Sequence, residues 1–349
     1  MGSASRYRRS DGRGDGDGDR DGGRDGGGVR RRVGRWRRAA LAALVTGAVV
    51  LPLSGAVRPE IPAPAPATLA PLSASTLDEA YAANRANAAE AARMAAGHHD
   101  RARAATDRSL AAPARRLLAF DGRGSGRVTE VLGDLGRADR IAVLVPGSDT
   151  SLDTYGRFHA AAAALYGQLV RQAPAGTRTA VVAWLGYETP GTVSTTVTTT
   201  GRAEQAAPQL RALVSDLRAI AGDGPRVSLL CHSYGSVVCG RAAAGLAVDD
   251  LVLVGSPGTG AASAAGLRTR ARVWAALGGD DWVANVPHVS TNLFGTTVGF
   301  GTDPVSPAFG ARVFTAGDGG HSDYFRPGSA SLTNLTRIVL GETKAVTHG

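Results

Sequence analysis

Lysine, methionine and cysteine are nearly missing from this 349-residue chain, which has one lysine (Lys344), two methionines and two cysteines. The missing lysines read as a high-GC coding bias and carry no chemistry. The two cysteines, Cys231 and Cys239, could pair only outside the cytoplasm. One ends an expected strand and the other lies in the helix after it, a placement that sets their Cα atoms beyond the ~7 Å a disulfide spans. Two buried thiols are therefore expected. Aromatic residues are only 5% of the chain, and nowhere in its folded part do they interleave with basic residues, which argues against a nucleic-acid surface. No Gly-rich phosphate loop follows the first strand, no His/Cys/carboxylate spacing suits a metal, and no internal repeat is visible. Neither a cofactor nor a metal is expected. His98 and His99 stand next to each other without further ligands and read as solvated.

Charge is present but unevenly spread. The net charge of +9 comes mostly from residues 1–38, where 12 arginines face 6 aspartates. The rest of the chain is nearly balanced, so the basicity belongs to a tail. Residues 1–28 contain almost nothing apolar and cannot offset the entropy of ordering, so 1–38 is read as a disordered basic tail. Arg30 to Arg38 form its dense end. Residues 39–57 are then continuously uncharged and mostly apolar, just long enough to cross a bilayer. Arginines before such a run mark a single membrane anchor or an export signal, with the remainder of the chain outside the cytoplasm. A cell-membrane or secreted location is expected, with membrane contact through residues 39–57.

Residues 58–75 are rich in Pro and Ala and read as a stiff linker. Thr76-Leu-Asp-Glu79 has the form of a helix-capping box, and residues 76–118 read as a helical arm broken near Gly97 or Pro113. From 119 to 343 short apolar runs alternate with helical stretches. Strands are expected at Val128–Leu132, Ile141–Val145, Ala180–Leu185, Val227–Leu230, Asp250–Val254, Arg272–Ala276 and Ala311–Thr315. Helices are expected at 155–172, 206–221, after residue 235, and at 332–340. This alternation calls for an α/β fold with a mainly parallel sheet covered by helices on both faces.

The stretch Arg226 to Gly240 organises the chain. An apolar strand runs into Cys231-His-Ser-Tyr-Gly235 and then into small residues suited to a closely packed helix. That is the form of a nucleophile elbow, G-x-S-x-G, with Cys231 in place of the first glycine. An aspartate follows a later strand, and a histidine follows the last one.

The order Ser, Asp, His and the motifs CHSYGSVVCGRAA, DDLVLVGSPG and GGHSDYF resemble the α/β-hydrolase superfamily. More narrowly they resemble an actinobacterial group of α/β-hydrolases labelled as a domain of unknown function, over residues 117–343. The resemblance implies a serine hydrolase with Ser233 as nucleophile and His321 as base. It implies Asp281 as the acid in preference to Asp280, because Trp282-Val283 follows Asp281 in the family manner. An imidazole can take the serine proton during attack and return it to the leaving group, and the carboxylate fixes the imidazole's tautomer. The backbone N–H of Tyr234, with that of Gly147 or Ser148, would form the oxyanion hole. Asp149 would cap the next helix. His232 would project away from the site and pack, and His159, His288 and His348 have no motif context. The interval from Pro190 to Arg226 is short, so no large lid is expected. A small-molecule or lipid ester is the expected substrate. The alternatives are a non-catalytic binding protein of the cell envelope with the same fold, and an envelope protein in which the helical arm matters most.

Overall fold

The computed structural model describes residues 62–192, 199–286, 291–293 and 296–349. The basic tail and the apolar run 39–57 lie outside the described residues. No helix among the described residues is long and apolar enough to cross a membrane.

The described chain from residue 62 onward lies in one compact unit, Glu60–Gly349. Two helices come first, α1 (Leu77–Gly97) and α2 (Arg101–Leu110). The strands and helices after them are β1 (Leu117–Asp121), β2 (Arg127–Gly133), β3 (Arg140–Val145), α3 (Tyr155–Gln172), β4 (Thr179–Leu185), α4 (Gly201–Ala221), β5 (Arg226–His232) and α5 (Gly235–Ala242). The chain continues through β6 (Asp250–Val254), β7 (Arg272–Ala276), a small antiparallel hairpin of β8 (Thr291–Leu293) and β9 (Thr296–Val298), β10 (Arg312–Val313) and α6 (Ala330–Leu340).

Eight strands form one sheet in the order β1-β2-β4-β3-β5-β6-β7-β10. From β4 to β10 every pairing is parallel; β1 and β2 add an antiparallel edge. The expected α/β class with a mainly parallel sheet is observed. Alternate residues of a strand point to opposite faces, and β3 shows the consequence. Ile141, Val143 and Val145 enter the apolar layer under α4 and α5, while Ala142 and Leu144 enter the layer under α3 and α6. Both faces are buried, which is why the central strands read as unbroken apolar runs.

Two local expectations are corrected. Residues 117–118 belong to β1, not to the helical arm, because Leu117, Phe120 and Val128 complete an apolar cluster with Ala88 and Ala91 of α1. The arm packs onto the sheet through this cluster. Asn84 of α1 donates from Nδ2 to the Leu117 and Leu118 carbonyls at 3.1 and 3.0 Å, and so ties α1 to β1. The Thr76 capping box does not form. Thr76 Oγ1 instead accepts from Ser73 N at 2.9 Å and bonds to Pro71 O, closing the turn before α1.

Candidate active site

Parallel strands end together at one rim, and the loops there collect side chains from distant parts of the chain. Ser233 follows the last residue of β5 at that rim. Its φ is +54°, a left-handed conformation that non-glycine residues rarely adopt. The turn is held from both sides: Ser233 N donates to Val254 O of β6 at 3.0 Å, and its own carbonyl accepts from Ser236 N at 2.9 Å. The chain therefore reverses within two residues and enters α5 directly above the strand's end.

That reversal overturns the expectation of free thiols. Cys231 and Cys239 form a disulfide with Cα atoms 6.5 Å apart. Because α5 begins at Gly235, Cys239 is only about one turn into it. The sharp elbow folds that turn back over β5, within bridging distance. The residue that replaces the first elbow glycine is thus tied covalently to the helix it packs under.

His321 lies on the loop between β10 and α6. Its Nε2 is 2.9 Å from Ser233 Oγ, and its Nδ1 is 2.9 and 3.0 Å from the two oxygens of Asp281. A carboxylate accepts, so Nδ1 carries the proton and the Nε2 lone pair faces the serine hydroxyl. Of the adjacent pair, Asp281 is buried and meets the imidazole, while Asp280 is exposed. Burial pushes the Asp281 carboxyl up. Hydrogen bonds from His321, the Tyr324 hydroxyl and the Val283 N–H outweigh that and hold it below the usual carboxylate range. Gly255, at the end of β6, makes room for this pair: a Cβ there would lie 2.9 Å from Asp281 Oδ2 and 3.1 Å from His321 Nδ1.

The turn after β3 lies against the elbow. A Cβ on Gly147 would stand 2.5 Å from Ser233 Cβ, so only glycine permits this approach. Tyr187 OH donates to Pro146 O at 2.7 Å. Asp149 has φ +57°, and its N–H donates to Pro190 O at 3.1 Å. Its carboxylate accepts from the Thr192 N–H and hydroxyl, so it clasps the loop after β4 and does not cap the next helix. The backbone N–H groups of Gly147, Ser148 and Tyr234 make no hydrogen bond among the described residues. The Tyr234 hydroxyl donates to Thr199 O at 2.8 Å and accepts from Ala203 N at 3.2 Å, linking the elbow to the start of α4.

Three neighbours were not legible beforehand. Tyr324, within the GGHSDYF motif, hydrogen-bonds Asp281 Oδ2 and accepts from Gly278 N at 3.0 Å. Trp282 is half exposed, with its ring 4.8 Å from that of His321. His232 does not point away from the site: its Nε2 lies 2.7 Å from the His321 carbonyl oxygen. The other histidines lie elsewhere. His159 pairs with Glu130, His348 Nδ1 lies 3.3 Å from Val313 O, His98 and His99 are exposed, and His288 is outside the described residues. No cluster of metal-ligating side chains occurs among the described residues.

The sequence profile of a family described as alpha/beta hydrolase matches residues 121–291, a span that includes Ser233 and Asp281. Two uncharacterized proteins of Mycobacterium tuberculosis, from strains CDC 1551 / Oshkosh and ATCC 25618 / H37Rv, are 31% identical over 258 residues. The match covers 64% of this chain and 38% of each relative, so the chain spans well under half of their length. Among solved structures, esterase PE8 is 18% identical with a TM-score of 0.40, over 61% of this chain and 97% of that one. A serine hydrolase without lid from Xanthomonas campestris is 16% identical with a TM-score of 0.39, over 67% and 95%. At such scores the likeness is loose, and the site is read from its own geometry. The strand order, the elbow between β5 and α5, and the profile match over residues 121–291 together show an α/β-hydrolase fold.

Proposed function

We propose that the protein is a serine hydrolase that cleaves a carboxylic ester through an acyl-enzyme intermediate. One observation carries the reading: a single imidazole reaches the Ser233 hydroxyl with one nitrogen and a buried carboxylate with the other, each at 2.9 Å. In the reaction Ser233 Oγ attacks the ester carbonyl carbon while its proton passes to His321 Nε2. The carbonyl oxygen becomes an oxyanion, which accepts from the backbone N–H of Tyr234 and from that of Gly147 or Ser148. The tetrahedral intermediate collapses, the C–O bond to the alcohol breaks, and the alcohol leaves with the proton from His321. Water then attacks the acyl-serine, delivering its proton to His321. Collapse frees the acid and restores the serine. Asp281 keeps Nδ1 protonated and stabilises the imidazolium at both stages.

The arginine block before residues 39–57 supports a protein anchored in the membrane or exported, with the hydrolase domain outside the cytoplasm. A buried disulfide beside the nucleophile agrees with an oxidising compartment. N-terminal sequencing of the mature protein distinguishes a retained anchor from a cleaved signal.

A fluorophosphonate probe tests the activity. The expected result is covalent labelling of the folded protein that disappears in Ser233→Ala. Folded wild-type protein that resists the probe refutes the hydrolase reading and leaves a binding protein built on the same fold. An acyl-ester panel of graded chain length then defines the substrate.

A further inference from the structure

His232 is the last residue of β5 and precedes the nucleophile. Its ring lies 4.7 Å from the His321 ring and 5.7 Å from that of Tyr324. Its Nε2 is 2.7 Å from the backbone oxygen of His321. A carbonyl oxygen can only accept, so Nε2 carries the proton and donates.

This bond matters because of where His321 sits. The base is on an irregular loop, reached through Gly317, Gly319 and Gly320, and no helix or strand fixes its backbone. Within the loop, Asp323 Oδ2 accepts from Gly320 N at 2.9 Å, which shapes the turn but does not relate it to the nucleophile. Asp281 holds the imidazole by Nδ1 alone, and a side chain held at one edge can still shift with its backbone. His232 supplies a second point of attachment, on the main chain of the base itself. It supplies it from the strand that carries Ser233, so one rigid element sets both ends of the Oγ···Nε2 separation.

We propose that His232 is a positioning residue, whose Nε2–H donates to the His321 carbonyl and so registers the base against the nucleophile. The proposal rests on the hydrolase reading above and goes beyond it. Burial, followed by the nearby charge of His321, holds the His232 imidazole down at about 4. At neutral pH it is therefore a neutral donor. It places no second cation beside the imidazolium that forms on His321 during acylation.

The test compares His232→Phe with His232→Gln in the full-length protein. Phenylalanine keeps an aromatic ring against His321 and Tyr324 but cannot donate; glutamine keeps an N–H donor of similar reach without the ring. Loss of alignment at a reacting centre costs up to about 100-fold. His232→Phe is expected to lower kcat on a short-chain p-nitrophenyl ester by roughly 10- to 100-fold with KM within about twofold. His232→Gln is expected to recover most of that loss, and fluorophosphonate labelling rates should follow kcat. A kcat for His232→Phe close to wild type overturns the proposal. So does equal impairment of the two variants, because ring shape would then matter and the donor would not. If neither variant folds, nitrogen NMR of the wild-type protein decides: a neutral Nε2–H tautomer at pH 7 supports the bond, and an Nδ1–H tautomer refutes it. Wild-type protein that does not react with the probe refutes the hydrolase reading, and the tautomer measurement still judges the hydrogen bond.

Discussion

The Cys231–Cys239 disulfide should stabilise the domain by an amount that its short span determines. The two cysteines are eight positions apart, so the bridge closes a loop of about nine residues with Ser233 inside it. In the chain-entropy account, a loop of that size removes about 9 cal/mol/K from the unfolded ensemble, or about 2.5 kcal/mol near room temperature. Both cysteines are fully buried and contact apolar neighbours, so alanine in their place removes the cross-link without exposing a polar group. At roughly 2–4 °C per kcal/mol for a domain of this size, the Cys231→Ala/Cys239→Ala variant should melt about 5–10 °C below wild type. Calorimetry with and without reductant measures this, and thiol titration in denaturant supplies the control. Unreduced protein should titrate as having no free thiol, and reduced protein as having two. The double variant should be insensitive to reductant. Two free thiols in denatured, unreduced protein would refute the reasoning, as would a double variant that melts with wild type.

Tyr324→Phe removes one hydrogen bond to the Asp281 carboxylate and leaves the Gly278 N–H without its acceptor. A hydrogen bond to a charged group is worth about 1.5–3 kcal/mol. The variant should therefore lose roughly 10- to 100-fold in kcat for ester hydrolysis with little change in KM; unchanged turnover would remove Tyr324 from the acid's support. Asp107, on α2, is buried with an Oδ1 that has no hydrogen-bond partner among the described residues, and its carboxyl is pushed up to about 7, chiefly by burial. The folded state holds this proton more tightly than the unfolded state does, so stability should fall as pH rises from about 4 to about 7 and stay low above that. Asp107→Asn should flatten this slope and stabilise the domain at pH 8, by at most roughly 4 kcal/mol. Urea unfolding at pH 5 and pH 8 checks the sign, and a variant less stable than wild type at pH 8 would contradict it.

The sheet was largely legible because its central strands are buried on both faces. Val227 to Leu230 and Asp250 to Val254 had to be apolar runs, and they occur where helices alternate with them. β1 was hidden because Leu117 and Leu118 follow an alanine-rich helical stretch, and only pairing with β2 makes them a strand. The serine, the histidine and the aspartate pair were visible as residues at strand ends, in a chain order resembling a known superfamily.

Linear sequence sets which residue types lie at the end of each strand, since local apolar periodicity fixes the strands and small residues fix the turns between strand and helix. Contacts between distant segments are decided only in three dimensions. The resemblance only favours Asp281 over its neighbour Asp280; the turn after β7 decides between them by burying one and exposing the other. Cys231 and Cys239 are too far apart on a straight path, and the left-handed turn at Ser233 folds them together. His232 gains its partner only because the loop after β10 returns to the end of β5, 89 residues away along the chain.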